Sequence, residues 1–459
     1  MILESVVVMG AGVSGLAAAL LLARDGHSVT LVERDSFQTG PAEDAPNWRR
    51  KGIPHFLQPH AFIPRGRVEL REHFCDVYDA LLRAGAHDVD VRTKIPGPSQ
   101  PGDEDLSYLA VRRPLIEWAL RRAVAEEPRI AVRSGAKVSG IGVAGRRVTT
   151  VEFGGSSVAV DLLVDALGRR TPTTDWIARA GIATERAETS DCGVIYYSRY
   201  YRLRDGFDLP DGPWLLGPRG DLGYLGFNTF PGDQRTFAAL LAVPAGASEW
   251  HVLKNANAFE AAVAEIPSLT QWVDPEGVVA ITDVLSLAGL HNTFRPYDPA
   301  VVSGLVPTGD TFCHTDPAIA HGLSFALMHA VELTKALREH NQLGDALGAY
   351  ASSTTPMARE RYDFATALDE QRHRMWMGEQ VNFASHDGDY ALFSTIAAGV
   401  ASMMDADVFR VFVRRMGCWI QRPSSTQTGR CNNASSPCSS RLSRLLGPGP
   451  DQPTTTSSQ

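Results

Sequence analysis

The stretch Val6–Glu33, VVVMGAGVSGLAAALLLARDGHSVTLVE, sets the reading of the chain around it. Val6 to Met9 is a short apolar run, and Gly10, Gly12 and Gly15 follow it in G-x-G-x-x-G spacing. Leu16 to Arg24 then carries an Ala/Leu-rich helical pattern that stops at Asp25-Gly26, and Val29 to Val32 is a second apolar run ending in Glu33. Strand, glycine turn, helix, strand is one βαβ unit, which demands a parallel sheet and a right-handed crossover. Gly10 permits the tight turn, Gly12 lets backbone approach a pyrophosphate, and Gly15 lets helix and strand pack closely. The first helical turn, at Val13 and Ser14, offers unpaired N–H groups and a positive dipole end to phosphate. Glu33, followed by Arg34, puts a carboxylate about 20 residues on, where ribose hydroxyls can donate to it. That context favours a dinucleotide site over a glycine-rich turn in an unrelated α/β protein.

The surrounding chain is compatible with an enzyme-scale fold. Its 459 residues suffice for one large or two intimate α/β domains. Apolar residues at 44% and charged residues at 21% exclude disorder for most of its length. The formal charge of −8, without Lys/Arg runs carrying aromatics, argues against nucleic acid as a partner. Leu16 to Ala23 is too short for a membrane span or a signal peptide. Six scattered cysteines lack CxxC pairs and zinc spacing, so they read as reduced thiols of a cytoplasmic protein, with no metal site.

After a Pro/Gly-rich loop from Asp35 to Pro54, a helical segment is expected from about Ala61 to Ala84, and another from Arg113-Pro114 through Val124. Short alternating runs at Ile130–Arg133, Val138–Val143, Val148–Phe153 and Val158–Val164 predict a β-meander. From Gly193 to Val243 the segments GVIYYSRYYRL, WLLGP, YLGFNTF and TFAALLAV predict a second, largely antiparallel sheet, closed by a helix at Phe259–Ala264 and a strand at Val278–Ser286. Leu305–Thr308 reads as a strand returning to the nucleotide domain, with helices over most of Pro317–Glu370 and Leu392–Met416. Beyond Gln421 the Ser, Thr, Pro, Asn and Gly content predicts a disordered tail. The fold class expected is α/β: a discontinuous Rossmann-like domain (1–190 and 288–345), an inserted β-sheet substrate domain (191–287), C-terminal helices (346–420) and the tail (421–459).

MGAGVSGLAAALLLARDGHSVTLVERD resembles the opening of the para-hydroxybenzoate-hydroxylase-like flavoproteins, the group A monooxygenases with their epoxidase, reductase and halogenase relatives. VPTGDTFCHTDPAIAHGLSFALMHAVEL is similar to that family's GD motif, and DLLVDALGRR to its middle motif, so the resemblance spans residues 5 to about 340. It implies an FAD-binding domain in which Asp310 bonds the ribityl hydroxyls and Gly322, Leu323 and Ser324 form a helix N-terminus aimed at flavin N1 and the C2 carbonyl. Negative charge on the reduced flavin would be stabilised there by the helix dipole. Arg113 matches the family's arginine on the FAD phosphates; a surface arginine in a first helical turn is the other reading. RRKGIPHFLQPHAF resembles a segment of the bacterial epoxidase-like and polyprenyl-phenol-hydroxylase-like branch, which would bring Gln58 and His60 near the ring system. A lone histidine is also an ordinary packed side chain. His314 and His321 lack metal spacing and receive no ligand role.

Two positions depart from the family pattern: Leu167, where the middle motif carries Ser or Thr, and Ala320, where Gly is common. The first leaves NAD(P)H contact by that motif in doubt, and no second G-x-G-x-x-G exists, so the electron donor is NAD(P)H or reduced flavin from a partner reductase. In GVIYYSRYYRL the strand period sets Ile195, Tyr197, Arg199 and Tyr201 on one face and Tyr196, Ser198, Tyr200 and Arg202 on the other. Tyr197 and Arg199 are candidate substrate contacts, with sheet core as the alternative.

The resemblance implies a monooxygenase that passes one oxygen atom from O2, through a flavin C4a-hydroperoxide, to an aromatic or alkene substrate, in secondary metabolism. It names no catalytic side chain. A reductase or dehydrogenase of the geranylgeranyl-reductase type shares the same motifs. A halogenase is disfavoured because the W-x-W-x-I-P segment of that branch is missing, GPWLLGP being the nearest stretch.

Overall fold

The computed structural model of the protein describes residues 1–212, 214–381 and 389–418; the expected tail after Gln421 lies outside the described residues. Its centre is a five-stranded parallel sheet in the order Leu305–Pro307, Leu162–Asp165, Val6–Met9, Val29–Glu33, Ile130–Ser134. Val6 stands opposite Val29 on one side and Leu162 on the other. Val6 to Met9 are buried throughout, which fits an unalternating apolar run covered on both faces. The glycine-turn helix, Val13–Arg24, is buried over almost its whole length because its Ala/Leu surface packs against the helix Gly322–Glu339.

Several sequence expectations change here. Ile130–Arg133 is the parallel edge of the main sheet, pairing with Val29–Glu33, and the meander is confined to Val138–Ala144, Arg147–Phe153 and Ser156–Ala159. The expected run Val158–Val164 divides between that meander and the main-sheet strand Leu162–Asp165. The helical stretch after Ala61 is broken at Phe74 into Pro64–His73 and Cys75–Arg83. WLLGP forms no strand, and Val278–Ser286 contributes to two short strands, Val278–Ala280 and Leu285–Leu287.

The second sheet is antiparallel and six-stranded, with Val194–Leu203 at its centre, paired from Val194 opposite Pro244 to Arg202 opposite Thr236. The helix Ala256–Ala264 covers its outer face, where Ile195, Tyr197 and Tyr201 pack with Phe259 and Val263. Its inner face turns toward the main sheet. A small sheet of Glu188–Asp191, His291–Phe294 and Cys313–His314 carries the chain into and out of this excursion. The helix Leu343–Trp376 spans about 50 Å. It ties the main sheet, through Tyr350 Oη donating to Pro307 O at 2.8 Å, to the second sheet, through Trp376 Nε1 donating to Asp221 at 2.9 Å. Among the described residues no helix is long and apolar enough to cross a membrane, and no group of His, Cys, Asp and Glu could hold a metal ion.

Candidate active site

A cavity of about 970 Å³ runs from the glycine turn, along the start of the helix Gly322–Glu339, to the inner face of the second sheet and the C-terminal helices. At one end Gly10 has φ +98°, and a Cβ there would sit 2.6 Å from Ala166 O. A Cβ on Gly15 would lie 1.8 Å from Gly10 O, so helix and turn touch backbone to backbone. Gly12 differs, since a Cβ would meet nothing nearer than Ile53 Cδ1 at 3.9 Å and would project into open cleft. Gly12 is also the N-cap and offers no side chain to the first-turn amides, so those of Val13 and Ser14 are left for a ligand.

Glu33 closes the strand beside this turn. Its Oε2 accepts from Ala11 N at 2.8 Å and lies 3.1 Å from Arg50 Nη2, and its Oε1 accepts from Asp35 N at 2.8 Å. Each carboxylate oxygen can accept two bonds, so Oε1 keeps capacity for a ribose hydroxyl. Arg50, which sequence reasoning passed over, also reaches Glu117 at 3.4 Å, and Glu117 holds Arg113 Nε at 3.0 Å. Arg113 is thereby a buried, held cation lining the cavity rather than a surface residue, and Arg34 lines the same end.

The distant GD segment meets the glycine turn directly. Ser14 Oγ donates to Thr308 Oγ1 at 2.8 Å across 294 residues, and Gly309 fits against Ser14 with φ +56°. Asp165 of the middle motif accepts from Leu167 N at 3.0 Å and Thr171 Oγ1 at 2.6 Å, while Gly168 N donates to Thr311 Oγ1 at 2.8 Å. All three motifs thus converge. Asp310 faces the cavity with Oδ2 at 3.3 Å from His314 Nδ1. Burial alone would push its carboxyl up, but His314 and Arg113 hold it below its usual range, so it is an anion.

Gly322 and Leu323 line the cavity at the helix start, next to Asp310. Ser324 does not line it, which corrects the expectation for that residue: it is fully buried, with its side chain against Gly66 of the helix Pro64–His73. Ala320 has φ +54°, which explains why glycine suits that position; the alanine carries roughly 1 kcal/mol of backbone strain. His60 and Gln58 both line the cavity. His60 Nδ1 is 2.7 Å from Gln58 O, a carbonyl that can only accept, so Nδ1 carries the proton and Nε2 is an acceptor. Burial and then Arg113 pull His60 down to about 3, so it is neutral near pH 7.

Tyr197 and Arg199 do not reach the cavity, which corrects the expectation for both. Tyr197 is buried beneath the helix Ala256–Ala264, and Arg199 turns the same way to Glu260, Nη1 to Oε1 2.6 Å. The opposite face of the strand looks inward: Ser198 Oγ donates to Gln58 Oε1 at 2.9 Å, and Tyr196 lines the cavity. Tyr196 Oη donates to Asp316 Oδ1 at 2.6 Å. Asp316 Oδ2 in turn binds Arg372 at 2.7 Å, and Arg372 binds Asp369 at 2.8 Å. Asn292 completes the group through its Nδ2, 2.8 Å from Asp369. Burial and the neighbouring Asp316 raise Asp369, whereas Arg372 offsets the burial of Asp316 and holds it down, so the pair keeps one proton. Asp369 and Arg372, at i and i+3 in LDEQRHRMW, were the available sequence signal.

Two buried histidines, His321 and His329, and two half-buried ones in the cavity wall, His55 and His60, set an acid limit on the fold. Burial first of all lowers His55, His60, His321 and His329, the last to about 4. Between pH 6.5 and about 4 the unfolded chain binds protons that the folded chain refuses, so stability is full above 6.5 and falls as pH drops. His329 by itself accounts for a loss on the order of 3 kcal/mol over that window. Unfolding midpoints measured from pH 8 to 4.5 should fall steeply below 6; a flat profile would contradict the neutral burial of these rings.

With this cleft defined, residues 5–94 match the model of the family described as FAD dependent oxidoreductase. The chain is an oxidoreductase enzyme with an FAD-dependent domain, and FAD is its cofactor. Among curated proteins it is similar to Protein Rv3254 of Mycobacterium tuberculosis, 25% identical over 368 residues that cover 74% of each chain. Among solved structures, the flavin-dependent brominase Bmp2 superposes with a TM-score of 0.61 at 17% identity, covering 92% of this chain and 95% of that one. PqsL, described as a probable FAD-dependent monooxygenase from Pseudomonas aeruginosa, gives a TM-score of 0.57 at 14% identity over 82% and 99%. At those identities the structural likeness is one of fold alone.

Proposed function

We propose that this oxidoreductase is a monooxygenase acting on an aromatic or alkene substrate, with 1–190 and 288–345 as its FAD-binding domain and 191–287 as its substrate-covering insert. The observation that carries this reading is the continuity of the cavity. Its dinucleotide end is lined by Gly12, Ser14, Glu33 and Asp310, and its far end by Leu240, Trp376, Leu392, Ile396, Phe409 and Phe412. FAD, when bound, supplies electrons to O2 and the site at which one oxygen atom becomes transferable.

The protein's own residues hold and shield. Gly10, Gly12 and Gly15 admit the pyrophosphate to the first-turn amides of Val13 and Ser14, Glu33 takes ribose hydroxyls, and Arg34 and Arg113 supply positive charge. Asp310, an anion facing the cleft, accepts from the ribityl chain, and the amides of Gly322 and Leu323 stabilise negative charge at the helix start. His60 accepts through Nε2. Apolar walls exclude water, which would otherwise divert oxygen to hydrogen peroxide. Because alkene epoxidation and ring oxygenation inside such walls require no dedicated acid or base, the neutral histidines are consistent with this chemistry.

Turnover of a polyene and phenol panel under oxygen-18 tests the reading. Product labelled from O2 is expected, with NAD(P)H and a reduced-flavin supply compared as electron sources. Unlabelled product, or equal turnover without oxygen, would replace it with the reductase reading.

A further inference from the structure

The helix Gly322–Glu339 starts at the cavity wall, and a buried cation stands beside that start. Arg361, on the helix Leu343–Trp376, is only 8% exposed and lines the cavity together with His321 and Gly322. His321 Nε2 donates to Met416 O at 3.1 Å, a carbonyl that can only accept, so His321 Nδ1 is the acceptor that takes a hydrogen bond from Arg361 Nη1. One turn on, the guanidinium stands over the ring of Phe325, 5.3 Å from its centre. Its Nε is buried without a hydrogen-bond partner, and among the described residues no carboxylate lies within ion-pair distance of it. Arg415, from the helix Ala406–Met416, donates to Tyr390 Oη at 2.9 Å and also meets no carboxylate among the described residues. His321 takes up none of this charge, because burial and then Arg361 keep its ring neutral.

A guanidinium held in such a wall without a counter-ion is costly, and the cost falls when negative charge appears nearby. Reduction of FAD, bound as proposed above, brings that charge to N1 and the C2 carbonyl beside Gly322 and Leu323. The helix dipole favours it with a partial charge. We propose that Arg361 reinforces the start of this helix with a full positive charge, stabilising reduced over oxidised FAD and raising the midpoint potential of the bound cofactor. It is a positioning residue that acts through His321 and the first helical turn, and what it supplies is charge. The proposal rests on the placement of FAD between the glycine turn and Asp310, and is independent of where the oxygen goes.

Anaerobic reductive titration of the FAD-loaded enzyme against an indicator dye, without substrate, reads the potential directly. Arg361→Met should bind oxidised FAD within about threefold of the unmodified protein and reduced FAD about 10-fold more weakly, which lowers the midpoint by about 30 mV for a two-electron couple. Arg361→Gln keeps a donor for His321 and drops the charge, so it should show the same fall. Arg361→Lys keeps the charge and should show less than half of it. These last two variants decide the matter even where Arg361→Met takes up no FAD. A potential unmoved in Arg361→Gln, or a fall in Arg361→Lys as large as that in Arg361→Gln, would overturn the proposal, the second result leaving the residue a packing role alone. Unmoved potentials alongside weakened FAD binding by Asp310→Ala would overturn it and leave the cofactor's placement standing.

Discussion

Gly12→Val is expected to abolish FAD uptake while leaving the apoprotein folded. A Cβ at this position meets only Ile53 Cδ1, at 3.9 Å, so the fold has room for it, whereas the branched side chain obstructs an approaching pyrophosphate. The loss of affinity should reach about 100-fold or more, equivalent to the first-turn amide contacts that the side chain displaces. Gly15→Ala is the contrasting control. Its Cβ would overlap Gly10 O at 1.8 Å, so helix and turn must separate, at a cost of about 1–3 kcal/mol or more to the fold itself. Flavin fluorescence titration and denaturant unfolding of both variants distinguish the two effects. If Gly12→Val binds FAD normally, the pyrophosphate does not pass this glycine.

Arg372→Met should produce the largest loss of stability among single changes near the cavity. The guanidinium is buried between Asp316 and Asp369, and its removal leaves two carboxylates facing each other with one fewer positive charge. Breaking a buried ion pair from one side costs about 3–5 kcal/mol. Because the pair already keeps one proton, the remaining carboxylate would stand buried without its counter-ion, and a second proton taken up on acidification should return part of this particular loss. Adding Asp316→Asn to Arg372→Met should recover stability relative to the single variant, through removal of the unpaired charge. Urea midpoints for the three proteins check this; an unchanged midpoint for Arg372→Met would mean that the network contributes little to the fold.

What was readable in the sequence was local. The turn at Gly10–Gly15 and the carboxylate of Glu33 belong to one continuous βαβ unit, so spacing alone located them. Asp310 and Gly322 came through resemblance, and the three-dimensional reason for their proximity to the first turn is the bond from Ser14 to Thr308. Periodicity correctly split Val194–Leu203 into two faces but could not orient them, because aromatic residues occupy both and the helix Ala256–Ala264 buries the face with Tyr197. Arg372 and Asp369 were hidden for a different reason: on a long helix rich in charge they resemble solvated surface, and their partners Tyr196, Asn292 and Asp316 come from other parts of the chain.

The central claim is that FAD lies between the first glycine turn and Asp310. Measuring flavin bound per chain, for the unmodified protein and for Asp310→Ala, tests it most directly. The account predicts a yellow protein with one FAD per chain, and an affinity weakened about 10- to 100-fold in the variant, through loss of a charge-assisted hydrogen bond. A folded, colourless protein that takes up no FAD on reconstitution, or a variant that binds it as tightly as the original, would contradict it.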